Sequence, residues 1–151
     1  IIRKKATGQP TCDVKLFSAA LKMEQVITHL NNVLPDDAIL TNGAGNYSAW
    51  LHRYYRYRNW RTQLAPTSGS MGYGLPAAIG VQVANPKKLV VDIAGEASIL
   101  MTMQEISTAI QYNLPIKIFI FRFFHFLINL KFISLEVMAF GVREIFSPIM
   151  I

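Results

Sequence analysis

Cysteine and charged residues are both scarce in this sequence, and each shortage narrows the kind of protein it can be. Cys12 is the only cysteine among 151 residues, which excludes an internal disulfide and fits a reducing compartment. Charged residues make up 16% of the chain and hydrophobic residues 52%. This composition is typical of a chain that buries an apolar core, and it argues against a disordered protein.

Long uninterrupted apolar runs are also missing. The apolar stretch that begins at Ile116 is broken by five polar side chains: Lys117, Arg122, His125, Asn129 and Lys131. A membrane helix needs about 18 or more apolar residues with few or no charges, so we expect no membrane span. The basic start is followed at residues 6–10 by no apolar core, so no secretory signal is apparent and we expect a cytoplasmic protein.

Basic residues exceed acidic ones and give a net charge of +6. They form one cluster at residues 3–5 and another at 52–61, where arginines alternate with aromatic residues. Such a pattern can bind single-stranded nucleic acid through stacking and charge, so a basic RNA-binding module is one alternative function. We favour solvated surfaces, with a subunit or domain contact at 52–61, over a nucleic-acid partner.

Helix and strand patterns alternate along the middle of the chain. After a poorly structured lead-in at 1–22, the patterns predict helices at 23–34, 46–55, 75–83 and 102–112, and strands at 38–41, 89–93 and 116–121. The alternation predicts an α/β domain over residues 23–121, with a central, mostly parallel sheet. Ligands of such sheets bind beyond the carboxyl ends of the strands.

The tail at 122–151 differs from the rest of the chain. It contains six of the nine phenylalanines and has no clear period. Its bias toward Phe, Ile, Leu, Lys and Asn is typical of A/T-rich codons read in a shifted frame. We therefore interpret it as a frameshifted end that truncates the domain, and a genuine apolar helix is the alternative.

Two glycine-containing turns follow predicted strands. At Gly43–Ala44–Gly45, missing Cβ atoms would let backbone N–H groups approach a phosphate at the start of a helix, although a plain tight turn explains the same residues. At 95–98, a carboxylate and a hydroxyl beside a glycine could hold a hard cation and a phosphate oxygen. The alternative there is a turn that caps a helix.

Three segments together resemble a known family. Residues 69–78 (GSMGYGLPAA), 91–98 (VDIAGEAS) and 104–118 (QEISTAIQYNLPIKI) are similar, in order and spacing, to the thiamine-diphosphate-binding domain of acetolactate synthases and their close relatives. The resemblance covers about residues 26–121. It implies the three-layer fold of that domain and, as cofactors, thiamine diphosphate and Mg²⁺.

The resemblance also implies roles for individual residues. Glu96 matches the residue that ligates magnesium, and Met71 matches the side chain that wedges the cofactor into its bent form, with a core methionine as the alternative. Most of the other positions match contacts to the diphosphate, and Gly69 matches the segment that cradles the aminopyrimidine ring. The implied cofactor-binding residues are Gly43, Asn46, Tyr47, Gly69, Met71, Gly95, Ala97 and Ser98.

At three places the sequence departs from the family pattern. Asn46 and Tyr47 replace a Gln-His pair that is common in acetolactate synthases. Glu96 replaces an aspartate, and its extra methylene moves the carboxylate outward from a metal that demands near-ideal octahedral geometry. Arg122 and Phe123 replace a paired Asn-Asn, so we expect the magnesium site to lack a side-chain ligand.

The function implied by the resemblance is decarboxylation of a 2-keto acid such as pyruvate, followed by carboligation, in branched-chain amino acid biosynthesis. The family works as a homo-oligomer, and its activating glutamate lies in a pyrimidine-binding domain that this sequence does not show. We therefore predict no catalytic residue in this chain and expect a fragment that is inactive on its own. The alternative is a non-catalytic binding or assembly remnant of the same fold.

Overall fold

The computed structural model describes residues 14–17, 22–124 and 134–140, with side chains described over 22–121. The described strands are β1 (Val14–Phe17), β2 (Ile39–Asn42), β3 (Gln63–Leu64), β4 (Val90–Gly95), β5 (Lys117–Phe124) and β6 (Ser134–Phe140). The described helices are α1 (Met23–Val33), α2 (Asn46–Tyr54), α3 (Gly74–Ala84), α4 (Glu96–Leu100) and α5 (Glu105–Gln111). Among them, none has the length and hydropathy that a membrane crossing requires.

The strands form one sheet in the order β1-β6-β5-β4-β2-β3. β3, β2, β4 and β5 pair in parallel with one another, whereas β6 pairs antiparallel with both β5 and β1. Every residue of β2 and β4 is buried, as expected for parallel strands covered on both faces. The predicted α/β fold with a mostly parallel sheet is confirmed.

Helices cover the central sheet on both sides, and β4 shows how the sequence produces this layering. Val91 and Ile93 pack with α1 and α2 on one face, while Val90 and Ala94 pack with α3 and α5 on the other. Successive side chains of a strand point to opposite faces, so a strand with apolar residues on both faces packs into two cores. The three-layer architecture follows from that pattern.

The helix predicted at 102–112 begins later in the structure, as α5, and a separate short helix, α4, precedes it. α4 begins at Glu96, residues 101–104 form turns, and α5 begins at Glu105. In the break, Thr102 Oγ1 donates a hydrogen bond to Gly72 O at 3.0 Å, and Thr102 N–H donates to Ile99 O at 3.2 Å. The long-range bond to Gly72 fixes a tight turn where local periodicity indicates helix.

Strands also occur where the sequence analysis expects none. β1 lies in the predicted lead-in, β3 between the helices predicted at 46–55 and 75–83, and β6 in the atypical tail. β5 runs to Phe124, so Arg122 and Phe123 lie within this strand, paired with Glu136 and Leu135, rather than directly after it. The rest of the lead-in and tail, including Cys12, lies outside the described residues.

A carboxylic acid is buried in the middle of this sheet. Asp92 in β4 is completely buried, and Thr41 Oγ1 of β2 donates a hydrogen bond to its Oδ1 at 3.1 Å. Its Oδ2 has no hydrogen-bond partner within the described residues. Burial, opposed in part by the Thr41 bond, raises the pKa of Asp92 to about 7 because the ionised form loses its hydration.

We expect Asp92→Asn to flatten the pH dependence of stability. The folded-state pKa of about 7 lies above the unfolded value of about 3.9, so between these pH values the native state holds a proton that the unfolded state has released. The free energy of unfolding of the wild type should therefore fall by up to about 1.4 kcal/mol per pH unit as the pH rises through this window.

Urea denaturation at about pH 5 and about pH 8 measures this slope. Asp37→Asn, which removes the same charge from the exposed turn after α1, is the matched control and should keep the wild-type slope. A wild-type slope in Asp92→Asn would contradict the assignment.

Candidate functional site

The carboxyl ends of β2 and β4 bring two of the predicted segments side by side. These strands are parallel neighbours, with Asn42 opposite Ile93, so the turn at Gly43 and the turn at Gly95 emerge at the same edge of the sheet. The loop at 69–72 joins them, because Ala44 N–H donates to Ser70 O at 3.1 Å. Three segments separated in sequence therefore meet at one place.

Ser98 is the side chain that connects these segments. It is buried on α4, and its Oγ accepts a hydrogen bond from Gly72 N–H at 2.9 Å. The same Oγ lies 3.3 Å from the hydroxyl of Tyr47. One serine thus ties α4, the 69–72 loop and the start of α2 together.

Tyr47 lies at the centre of the group, with 3% of its surface exposed. A Cβ atom added at Gly45 would lie 2.6 Å from its ring, one at Gly95 would lie 2.8 Å from it, and one at Gly43 would lie 2.9 Å from its hydroxyl oxygen. We call the space between these three glycines the glycine slot. The sequence analysis predicts that the missing Cβ atoms admit a phosphate; in the structure they admit the tyrosine ring.

The hydroxyl of Tyr47 stays neutral at physiological pH. Burial raises its pKa, and the negative charge of Asp92 acts in the same direction. The hydrogen bond with Ser98 and backbone hydrogen bonds from Gly95 and Gly43 oppose this rise, since they favour the ionised oxygen. The neutral phenol can therefore donate its hydrogen bond to Ser98 Oγ.

The other predicted cofactor residues surround this centre. Asn46 is exposed as the first residue of α2, and Ala97 is exposed on α4. Gly69 is exposed with a φ of 70°, a left-handed conformation that glycine adopts at little cost. Met71 is 41% exposed, so the alternative of a core methionine is wrong. Its side chain stands at the rim of the site.

The predicted metal ligand is a single carboxylate. Glu96 is the first residue of α4 and is half-buried, directly after Gly95. Over the part of the chain that the structure describes, no three His, Cys, Asp or Glu side chains gather as a metal site. Magnesium is commonly held by one or two carboxylates together with phosphate oxygens, so Glu96 suits it only beside a diphosphate.

The tyrosines of the arginine- and aromatic-rich segment at 52–61 pack against other aromatic residues of the protein. Tyr54 stacks on Trp50 with centroids 5.7 Å apart, and Tyr55 meets Tyr57 edge to face at 5.0 Å. Arg58 pairs with Asp36 at 3.1 Å and also donates to Asn31 O at 2.8 Å, while the backbone N–H of Arg56 donates to Asn31 Oδ1. A nucleic-acid surface needs rings free for stacking; the tyrosines have a packing role, whereas Trp60 is 88% exposed.

Two residues of the site region are absent from the predicted set. Gly72 donates to Ser98, and Asp92 lies beneath the turns, where a Cβ at Gly74 would contact its Oδ1. An acid within the apolar run of β4 is a sequence signal that could have singled out Asp92. Nothing local to Gly72 indicates its bond to Ser98, because the two residues lie 26 positions apart.

The sequence of this chain is similar to those of known proteins. Residues 43–122 match the family model described as thiamine pyrophosphate enzyme, C-terminal TPP binding domain. The chain is 42% identical over 105 residues to acetolactate synthase 3, chloroplastic, of Brassica napus. It is 44% identical over 104 residues to the acetolactate synthase catalytic subunit, mitochondrial, of Saccharomyces cerevisiae.

A solved structure is also similar. The thiamine diphosphate-dependent 4-hydroxybenzoylformate decarboxylase of Rhodococcus jostii RHA1 matches with a TM-score of 0.65 and 31% sequence identity, over 69% of this chain and 20% of that one. The matches to the Brassica and Saccharomyces proteins cover 69% and 66% of this chain. They cover 16% and 15% of those relatives, so the chain spans about a sixth of their length.

We expect Gly43→Ala to destabilise the fold. The new methyl group would lie 2.5 Å from Ser98 Oγ and 2.9 Å from the Tyr47 hydroxyl, so both side chains must shift. Overpacking of this kind costs about 1–3 kcal/mol in the free energy of unfolding. Urea denaturation followed by circular dichroism measures the change.

Gly80→Ala is the matched control, since a Cβ there on α3 meets nothing within 4 Å. It should stabilise the protein by about 0.5–1 kcal/mol, because alanine favours a helix over glycine. Equal stability of the two variants would show that the glycine slot is not tightly packed.

Proposed function

Because this chain belongs to the thiamine pyrophosphate enzyme family, as its C-terminal TPP-binding domain, we propose that it binds the diphosphate of thiamine diphosphate within an acetolactate-synthase-like enzyme. The observation that carries the proposal is the convergence of Gly43, Gly95 and Ser98 at the ends of two adjacent strands. Gly43 and Ser98 both lie close to the Tyr47 hydroxyl, and Gly95 lies against its ring. Backbone N–H groups of such turns and a serine hydroxyl are the kind of donor that a diphosphate oxygen needs.

The start of α2 adds a second favourable feature for an anion. Its N-cap residue is Gly45, and no side chain caps the first backbone N–H groups. Unpaired N–H groups and the helix dipole attract negative charge at this end. Asn46, as the first residue of this helix, and Ala97 on α4 lie where they would line the same diphosphate.

The exposed loop at 69–71 is the proposed support for the aminopyrimidine ring. The left-handed Gly69 brings backbone close to the surface without a side chain, and Met71 presents a half-exposed thioether chain. An unbranched, polarisable side chain suits contact with a flat ring. In this proposal Glu96 holds magnesium together with the diphosphate oxygens.

The chemistry of the whole enzyme is part of the proposal. When bound, thiamine diphosphate supplies the electron sink for decarboxylation of a 2-keto acid, and the protein binds and orients it. We propose pyruvate-like substrates, a homo-oligomeric enzyme of branched-chain amino acid biosynthesis, and no activity for this chain alone. A cytoplasmic location stays a prediction, and the names of the two relatives above place them in chloroplasts and mitochondria.

A non-catalytic module of the same fold is the second candidate. Two observations favour it: Tyr47 fills the glycine slot, and Arg122 and Phe123 stand where the resemblance implies an Asn pair. Such a module would keep the sheet and lose metal-dependent cofactor binding. Titration with the cofactor separates the two candidates.

We expect isothermal titration of the full chain to show binding of thiamine diphosphate that depends on magnesium. Ser98→Ala should weaken it by about tenfold or more, because a hydrogen bond to a charged group is lost. Ser107→Ala on α5, whose hydroxyl bonds only its own turn in the described contacts, is the control. No binding in any folded variant would refute the proposal and leave the non-catalytic candidate.

Glu96→Asp should strengthen the magnesium dependence. The shorter side chain withdraws the carboxylate by one methylene, toward the position of the family's aspartate. Titrations with and without magnesium should show a several-fold lower Kd only when the metal is present. Glu105→Asp on α5 makes the same change away from the site and should have no effect. An equal gain without magnesium would argue against Glu96 as a metal ligand.

A further inference from the structure

Tyr47 fills the space between the three glycines of this site. Its ring lies in the glycine slot, within 3 Å of the Cβ positions of Gly45 and Gly95. Its hydroxyl donates a hydrogen bond to Ser98 Oγ at 3.3 Å and lies 2.9 Å from the Cβ position of Gly43. A side chain of the protein therefore occupies the space beside the glycines for which the resemblance implies diphosphate contacts.

We propose that Tyr47 is a gate: its ring and hydroxyl occupy the glycine slot, and the ring must leave this slot before a diphosphate can bind. This inference rests on the proposed function, since it concerns the same diphosphate site. It replaces the role of direct diphosphate contact that the resemblance implies for Tyr47. It also makes Tyr47 the residue that sets the affinity of the site.

The phenolic oxygen of Tyr47 and a phosphate oxygen exclude each other sterically. Two oxygens joined by a hydrogen bond stay at least about 2.5 Å apart, so a phosphate oxygen cannot share the space of the phenolic oxygen. The ring atoms lie against Gly45 and Gly95, which closes the slot along its length. A diphosphate and the inward ring are therefore alternatives.

The inward position is also favoured by packing. Tyr47 belongs to the buried cluster on the α1 and α2 face, together with Leu51 and Ile93. Turning the ring outward exposes apolar surface to water and breaks the hydrogen bond with Ser98. An anion must compete with both interactions. Its apparent affinity is its affinity for the open form multiplied by the fraction of molecules in which the slot is open.

Variants at Tyr47 distinguish a gate from a direct ligand. Inorganic pyrophosphate is the probe, titrated into the full chain with magnesium. Tyr47→Ala empties the slot and should lower the Kd at least tenfold, whereas Tyr47→Phe keeps the ring in place and should stay within about threefold of the wild type. If Tyr47 were a hydrogen-bond donor to the anion, both variants would bind more weakly, which would overturn the inference.

Tyr54→Ala is the matched control on the same helix. Tyr54 stacks on Trp50 away from the glycine slot, and its removal should leave the Kd for pyrophosphate unchanged. A gain equal to that of Tyr47→Ala would mean that loosening α2 in general opens the site, and would overturn the assignment to Tyr47.

Chemical nitration of the wild type provides a test that does not depend on a variant folding. Pyrophosphate should raise the nitration of Tyr47 several-fold, measured by mass spectrometry of its peptide, because the ring moves into solvent. Nitration of Tyr112, which is 65% exposed, serves as the internal reference. Saturating pyrophosphate with unchanged Tyr47 nitration would overturn the gate.

The outcomes also separate this inference from the proposed function. Equal, measurable binding of thiamine diphosphate by the wild type and Tyr47→Ala would remove the gate and keep the function. No binding by either folded protein would remove both. Tighter binding by Tyr47→Ala than by Tyr47→Phe would support both.

Discussion

Parallel pairing of β2 with β4 is the constraint on which the site depends. The register sets Asn42 opposite Ile93, so the two strands end together and their turns leave the sheet side by side. Gly43 and Gly95 can then face the same ring, and Ser98 on the following helix can reach across to Gly72. A shift of this register by one residue would turn the buried faces over and separate the turns.

The glycines of these turns have a double consequence. A position without Cβ brings backbone N–H groups close to whatever fills the space, and that occupant can be a phosphate or a side chain. In this chain the occupant is Tyr47, whose hydroxyl is polar enough to use the donors and whose ring is apolar enough to stay buried. The same feature that predicts a phosphate site therefore also allows its closure.

Most of the fold could be predicted from the sequence because its signals are local. The apolar run of β4 and the helical spacing of α1 lie close to their observed limits. The break between α4 and α5 could not be predicted, because Thr102 is held by Gly72 from 30 positions away. The position of Tyr47 was missed for the same reason, since its partner Ser98 lies 51 positions along the chain.

Asp92 connects the interior of the sheet with the electrostatics of the proposed diphosphate site. It lies beneath the turns, and its negative charge would oppose any further negative charge there, as it does for an ionised Tyr47. With its pKa raised to about 7, the buried carboxyl is largely neutral below that pH. Below that pH a neutral acid beneath the turns adds no negative charge, which favours an anion at the site. The burial that costs the fold stability when Asp92 ionises thus also reduces the negative charge beneath the proposed diphosphate site.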